Sequence, residues 1–339
     1  MRLYHSARPT QSKMSIQKLF VGIDTSNYTT SLALCTYEGQ VVANIKKLLP
    51  VESGERGLRQ SDALFLHTKN LPELMSTLSD VIKNNYPQSE ICAVGYSAYP
   101  RDCEGSYMPC FLAGQAAAYS FCAPIGCPIY KFSHQAGHIA AALYSSGAED
   151  KIISQAQTCQ NRFAAFHVSG GTTELLLVTL TDGRMRVEQV GGTRDINAGQ
   201  AIDRTGVMMG LTFPCGREME SMCGEGVSYN KQIKICVDGL FCNLSGLENQ
   251  AAKIYTQNQN KGEVCEFVFD FIGKTLLKMT DNLRALYPDI PVLYAGGVMS
   301  NGRIKNLLSK NEKTYFAQPE FSSDNAAGIS LLCRKQYIG

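Results

Sequence analysis

His134 and His138 stand four residues apart in HQAGHIAAALYSSG, a segment whose apolar residues fall at helical spacing. On a helix both imidazoles would lie on one face near its start. Such a pair can ligate a metal, or it can be no more than an exposed or helix-capping pair. The residue after His134 is Gln135 and the order is HxxxH, so the glutamate base of a zinc metallopeptidase is missing. Nothing local supports peptide hydrolysis. Two imidazoles leave a hard metal short of ligands, and a carboxylate is the usual third. Asp324, in FSSDNAAG at a turn that opens a helix, is the attractive candidate, although spacing alone does not select it from 30 acidic residues.

A second kind of chemistry is written twice. GIDTSNYTTSLALCTYEGQ (Gly22 to Gln40) and FHVSGGTTELLLVTLTDGR (Phe166 to Arg184) share one layout: apolar strand, Ser/Thr/Gly turn, Thr-Thr, apolar strand, and a turn ending in Gly. Thr29-Thr30 falls on Thr172-Thr173 at an offset of 143, with a one-residue slip at the second turn. A small, hydroxyl-rich turn offers backbone N–H and side-chain O–H donors, which is what a phosphate needs. Two of them describe either a duplicated fold gripping one nucleotide-like ligand from both sides or two ordinary hairpins. GGVMSNGR (Gly296 to Arg303) follows a strand and opens a helix, where a ligand can approach backbone at a helix N-terminus. Asp203, in AGQAIDRTG, is a cleft-facing carboxylate or a surface one paired with Arg204. Gly216, in FPCGRE, is a ligand-side glycine or a turn glycine.

The elements that must hold these residues read as an α/β plan. LFVGID, TSLALC and QVVANI form a strand meander, followed by the helix SDALFLHTKNLPELMSTLSDVIKN. ICAVGYSA is a buried strand, LAGQAAAYSFCA a small-residue helix, and CPIYKF a strand ending at Ser133, an N-cap for the histidine helix. RFAAFHV, TTELLLVTL and RMRVEQV repeat the meander before the helix NAGQAIDRTGVMMG and a helix-rich stretch from about 216 to 287. PVLYAG, a glycine-led helix over GGVMSNGRIKNLLSK, the strand TYFA and the helix SDNAAGISLLCRK close the chain. The 339 residues suffice for two lobes with cores, and 44% hydrophobic against 18% charged content describes a globular chain. A net charge of +2 gives no global case for nucleic acid, so any such surface is local. Thirteen cysteines scatter without a CxxC pair, which reads as reduced, mostly buried thiols of a cytoplasmic protein. No stretch has the length of a membrane span. Residues 1–17 are basic and polar, a flexible extension with no secretory h-region, and Met14 offers an alternative start.

Together GIDTS, HQAGH, VSGGTTELLLV, AGQAIDRTGVMMGL, NLSGL, YAGGVMSNGRI and SDNAAG resemble, in order, the TsaD family of tRNA adenosine threonylcarbamoyltransferases. The resemblance covers roughly residues 18 to 339. It implies the duplicated two-lobe fold of the actin/hsp70/sugar-kinase superfamily, ribonuclease H-like, with an interlobe cleft. The first lobe is expected over 18–128 plus about 318–339 and the second over 129–317. In that family the HxxxH histidines and the aspartate of the DN motif bind one divalent metal, iron or zinc. Carried over, these are His134, His138 and Asp324. The contacts to an adenine nucleotide or acyl-adenylate fall on His167, Val168, Ser169, Gly170, Gly171, Asp203, Gly216 and Asn301. The implied activity transfers a threonylcarbamoyl group from its adenylate to the tRNA adenosine beside the anticodon, with TsaB-like and TsaE-like partners and no membrane.

Several positions depart from the family. Where it has Cys-Asp-Glu after GIxTS, this chain has Asn27, Tyr28 and Thr29, and neither Tyr nor Thr replaces a base at neutral pH. The SGGHT histidine is Thr172, the HxEGH glutamate is Ala136, the AGE glutamate is Gln200, and SAYPRDCEGSYMPC replaces the GPG segment. The expected protein is a divergent paralogue whose transferase activity is low or absent. Its alternatives are a catalytically impaired nucleotide-binding scaffold or partner of TsaB-like proteins, and a small-molecule acyl- or phosphotransferase of the same superfamily.

Overall fold

The structure, a computed structural model, describes residues 16–26, 28–50, 58–181, 184–224, 229, 232–322 and 324–339. Met14, Asn27 and the second turn of the later hairpin at 182–183 lie outside these. The chain divides into two compact units: one holds the residues up to Ser145, with Leu180–Val187 and the last residues from 324, and the other holds Ser146–Thr179 and Glu188–Ser322.

In the first unit, strands β1 (Gln17–Asp24), β2 (Thr29–Thr36) and β3 (Val41–Leu48) form the expected meander. Helix α1 (Gln60–Asn85), strand β4 (Ser89–Tyr99), helix α2 (Phe111–Cys122), strand β5 (Ile129–Ser133) and helix α3 (His134–Ser146) follow. The sheet runs β3-β2-β1-β4-β5, with β1, β4 and β5 parallel. Because β5 pairs with β4, residues 129–145 join this unit and the division falls after Ser145, not at the expected 128. β1 reads as an unbroken apolar run because helices cover both of its faces. Leu19, Val21 and Ile23 cluster with Leu71 and Leu74 of α1 and Ala113 and Ala118 of α2. The alternate residues face the last helix of the chain, α10 (Ala327–Ile338), where Phe20 meets Tyr337 edge-on with ring centroids 5.3 Å apart.

The second unit repeats this plan and adds to it. Helix α4 (Glu149–Gln157) precedes the meander β6 (Arg162–Val168), β7 (Thr173–Thr181) and β8 (Arg184–Thr193). Helices α5 (Ala198–Met208) and α6 (Gly216–Met222), short strands β9 (Cys236–Asp238) and β10 (Phe241–Asn243), and helices α7 (Ser245–Asn258) and α8 (Lys261–Leu286) come next. Strand β11 (Val292–Ala295), helix α9 (Gly302–Leu308) and strand β12 (Thr314–Phe316) complete it. The order β12-β11-β6-β7-β8-β10-β9 contains the first sheet's order with two short strands appended at one edge. Those two strands lie in the stretch expected to be helix-rich; at three residues each, they are too short to show a period of two. The glycine-led helix over 296–310 is in fact a 3₁₀ turn, Gly297–Ser300, and then α9. Asn301 divides them in extended conformation and its Oδ1 accepts from Ile304 N at 3.0 Å, so the helix restarts there.

Candidate functional site

α3 follows β5 without a loop. Ser133 Oγ accepts from Ala136 N at 3.1 Å, which satisfies one opening N–H and fixes His134 and His138 on the first turns. α3 and α10 approach closely because two glycines meet. A Cβ on Gly328 would stand 1.8 Å from the carbonyl oxygen of Gly137, and one on Gly137 would stand 2.8 Å from Ile329 Cδ1. This crossing brings Asp324, just ahead of α10, to the histidines. His138 Nε2 lies 2.9 Å from His134 Nε2 and 3.2 Å from Asp324 Oδ1, and His134 Nε2 lies 3.6 Å from the same oxygen. Among the described residues this is the one group of three such side chains whose donor atoms could share a metal, all lying within 4.8 Å of one another.

The donor set fits a divalent ion. Its separations are those of atoms sharing one ion through bonds of about 2.0–2.2 Å. Two imidazoles and a carboxylate, without a thiol, suit iron, zinc or manganese and leave coordination positions for water or substrate oxygens.

The other side of His134 is equally built. Its Nδ1 lies 2.8 Å from Ser26 Oγ and 3.3 Å from Asp24 Oδ2, while Ser26 Oγ donates to that Oδ2 at 2.6 Å. Ser97 Oγ donates to Asp24 Oδ1. Asp24, Ser26 and Ser97 are all buried. Burial opposes protonation of His134, but the Asp24 carboxylate and then Asp324 outweigh it and raise the imidazole to about 10. Burial likewise opposes ionisation of Asp24, yet the charge of His134 and the bonds from His134, Ser26 and Ser97 hold its carboxyl below the usual range. Asp324 is held well below that range, against burial, by bonds from both histidines. Asp24, Ser26 and Ser97 stand outside the residues singled out from the sequence. The signal for the first two was GIDTS itself. Ser97 becomes visible only once β4 is known to lie parallel beside β1, with Tyr96 opposite Ile23.

In the second unit, His167 and Val168 end β6 and Ser169–Thr172 turn the chain into β7. Ser169 N donates to Thr172 O at 2.8 Å, and Ser169 Oγ accepts from Gly171 N at 3.3 Å and Thr172 N at 3.1 Å. The turn's own serine therefore takes two of the N–H groups that a phosphate would want. Gly170 and Gly171 are exposed, with open space where a side chain would stand. α5 starts against this turn: Gly199 N donates to Ser169 O at 3.1 Å, and Asn197 Nδ2 to Gly171 O at 2.9 Å. Gln200, in place of the family's glutamate, accepts from Asn197 N at 3.1 Å. Asp203 lies one turn further along α5, where its Oδ1 accepts from Cys215 N at 2.8 Å and so holds Gly216, the first residue of α6. The neighbouring Arg204 pairs with Glu248 at 3.8 Å and not with Asp203. Asn301 is buried as the α9 cap, and Glu220 of α6 accepts from Gly302 N beside it at 2.7 Å. The turn, Asp203 and Gly216 thus line up along α5, while Asn301 is tied to α6 through Glu220 and Gly302.

Comparison with known proteins agrees with this construction. The family model of TsaD, tRNA N6-adenosine threonylcarbamoyltransferase, matches residues 57–331. A protein of that name from Methanopyrus kandleri is 26% identical over 316 residues, 91% of this chain and 85% of that one. Another from Streptococcus mutans is 27% identical over 335 residues, 95% of this chain and 93% of that one. Among solved structures, full-length HypF in its phosphate- and nucleotide-bound form is similar with a TM-score of 0.58 at 13% identity. That likeness is one of fold alone; it spans 96% of this chain but only 47% of HypF. With the family model matched over most of its length, the chain belongs to the TsaD family, the tRNA N6-adenosine threonylcarbamoyltransferases.

Proposed function

We propose that this protein binds one divalent metal, iron or zinc, through His134, His138 and Asp324, and acts in threonylcarbamoylation of tRNA. The reaction takes the threonylcarbamoyl group from its adenylate to the adenosine next to the anticodon. The carrying observation is the convergence of the three donors within 4.8 Å, from α3 and the residues just ahead of α10, two helices that meet at Gly137 and Gly328. A bound ion would supply Lewis acidity towards the acyl carbonyl and orient the adenylate. The residues around α5 are the expected contacts of the adenine nucleotide: His167 to Gly171, Asp203, Gly216 and Asn301. Exposed apolar side chains on α1 and α2, among them Phe65, Leu112 and Tyr119, support docking of TsaB-like and TsaE-like partners. Thirteen free cysteines, and the absence among the described residues of any helix long and apolar enough to cross a membrane, support a cytoplasmic setting.

Tyr28 and Thr29 favour a second reading, a catalytically impaired paralogue that serves as a nucleotide-binding partner. Thr29 is buried and opens β2 opposite Leu48, so it offers no exposed acid or base where the family carries one. Complementation in cells depleted of their own transferase, scored by direct nucleoside analysis of tRNA, separates the two. Restored threonylcarbamoyladenosine supports the enzyme. A folded, metal-loaded protein that restores none supports the partner.

A further inference from the structure

Only one nitrogen of His134 faces the metal-ligand cluster, and the residues behind the ring determine which nitrogen keeps its proton. A neutral imidazole carries a proton on one nitrogen and a lone pair on the other, and only the lone pair can ligate. Ser26 Oγ is 2.6 Å from Asp24 Oδ2, a carboxylate oxygen with nothing to donate, so the hydroxyl proton is committed there. What remains towards His134 Nδ1, at 2.8 Å, is the hydroxyl lone pair, and Asp24 Oδ2 adds a second acceptor at 3.3 Å. Both demand that Nδ1 donate. Ser97 occupies the other carboxylate oxygen, so Asp24 is held at both ends in a wholly buried position.

Resting on the metal-binding reading above, we propose that Asp24 is the positioning residue of this site: clamped by Ser97 and acting with Ser26, it fixes His134 with Nδ1 protonated and Nε2 presented to the ion. Asp24 is not itself a ligand, because it lies on the Nδ1 side of the ring and both its oxygens are occupied. A carboxylate behind a ligating histidine also makes the ring a stronger donor, and loss of such a partner typically costs 10–100-fold in metal affinity.

The test uses the full chain, unmutated and as Asp24→Asn and Ser97→Ala. Zinc affinity is measured by competition with a chromophoric chelator, and the visible absorption of the cobalt(II)-loaded protein reports the ligand field. Asp24→Asn should bind zinc about 10–100-fold more weakly and shift the cobalt bands. Ser97→Ala, which leaves the carboxylate in place, should lose affinity in the same direction by less than about tenfold. A merely structural role would lower the melting temperature and leave the cobalt bands of the folded protein in place. An unmutated protein that takes up neither metal overturns the metal site and this role with it. Tight binding by the unmutated protein, with Asp24→Asn within twofold and an identical cobalt spectrum, overturns the positioning role alone. If Asp24→Asn does not fold, Ser97→Ala and Ser26→Ala decide by the same readings, and no change in either overturns the role.

Discussion

The hairpins β1–β2 and β6–β7 are built to one register and used in opposite ways. Each pair from Leu19–Thr36 to Asp24–Ser31 has a counterpart 143 residues on, from Arg162–Thr179 to His167–Glu174. The turns between them diverge. In the first, Thr25, Ser26, Thr29 and Thr30 are buried. Three of the hydroxyls turn inward: Ser26 to Asp24 and His134, Thr25 to Cys110 O at 3.1 Å, and Thr30 to His67 Nδ1 at 2.8 Å. In the second, the positions equivalent to Asn27 and Tyr28 are the exposed Gly170 and Gly171, and Ser169 folds back on its own turn. One hairpin has become a wall that holds a histidine. Its copy is an open turn. Duplication therefore conserves strand register, while the function of each turn follows from what packs against its hydroxyls.

The sharpest break of this comparison is a methyl group added to each region. At Gly328 the new Cβ would overlap the backbone of Gly137 and push α10 off α3, taking Asp324 with it. Gly328→Ala should therefore cost at least the roughly 1–3 kcal/mol of an overpacked core and abolish metal binding. Gly171→Ala meets nothing within 4 Å and should stay within about 0.5 kcal/mol of the unmutated protein. Urea midpoints and metal analysis measure both; equal midpoints would mean that the crossing of α3 and α10 is not tight.

Next in size is the metal itself. His134→Ala and Asp324→Ala should each lower metal stoichiometry in the purified protein, while Ser169→Ala should not. The same stoichiometry in all four proteins would remove the site.

Acidity should separate the regions as well. His134 titrates near 10 in the metal-free fold against about 6.5 when unfolded, so its paired charge contributes stability that is fully present below about 6.5. That contribution is lost as the pH rises towards 10. Metal must displace the same proton, so apparent affinity should climb with pH, by up to about tenfold per unit below 10. Proton release measured by calorimetry in buffers of different ionisation enthalpy checks this; binding without proton release at neutral pH would contradict it.

The sequence discloses these regions to different depths. Strand periodicity and the repeated Thr-Thr turn are local, so both meanders and their offset could be read directly. The candidate metal histidines are local too, being one helical turn apart. Asp324 is an attractive candidate that spacing does not select from 30 acidic residues and that the family resemblance singles out, because its approach depends on Gly137 meeting Gly328, far apart in the chain. Ser97 is hidden for a related reason: Asp24 stands in the GIDTS motif, but the serine beside it on β4 looks like any other until the parallel pairing of β1 and β4 is known. Asn301 shows the reverse case. The resemblance places it among the ligand contacts, whereas the break in the helix it caps leaves no mark in the hydrophobic pattern.

The smallest effect expected lies in the second turn. Ser169 Oγ accepts from two backbone N–H groups and lies 2.6 Å from Thr172 Oγ1, so Ser169→Ala removes three bonds at once. The turn is open to solvent, and water can replace the hydroxyl, so stability should fall by no more than about 0.5–1.5 kcal/mol. If the turn is a nucleotide lip, that hydroxyl preorganises it, and losing roughly 1 kcal/mol of preorganisation would weaken an adenine nucleotide about fivefold. Ser169→Thr keeps the oxygen and should restore most of the affinity. Calorimetry with ATP, ADP and AMP in the presence of divalent metal reads the difference. A Ser169→Ala protein that binds as tightly as the unmutated one would show that the exposed glycines act without their serine. An unmutated protein that gives neither heat nor thermal shift would leave the second hairpin an ordinary one, and the contrast with the first would then be between a functional turn and a structural one.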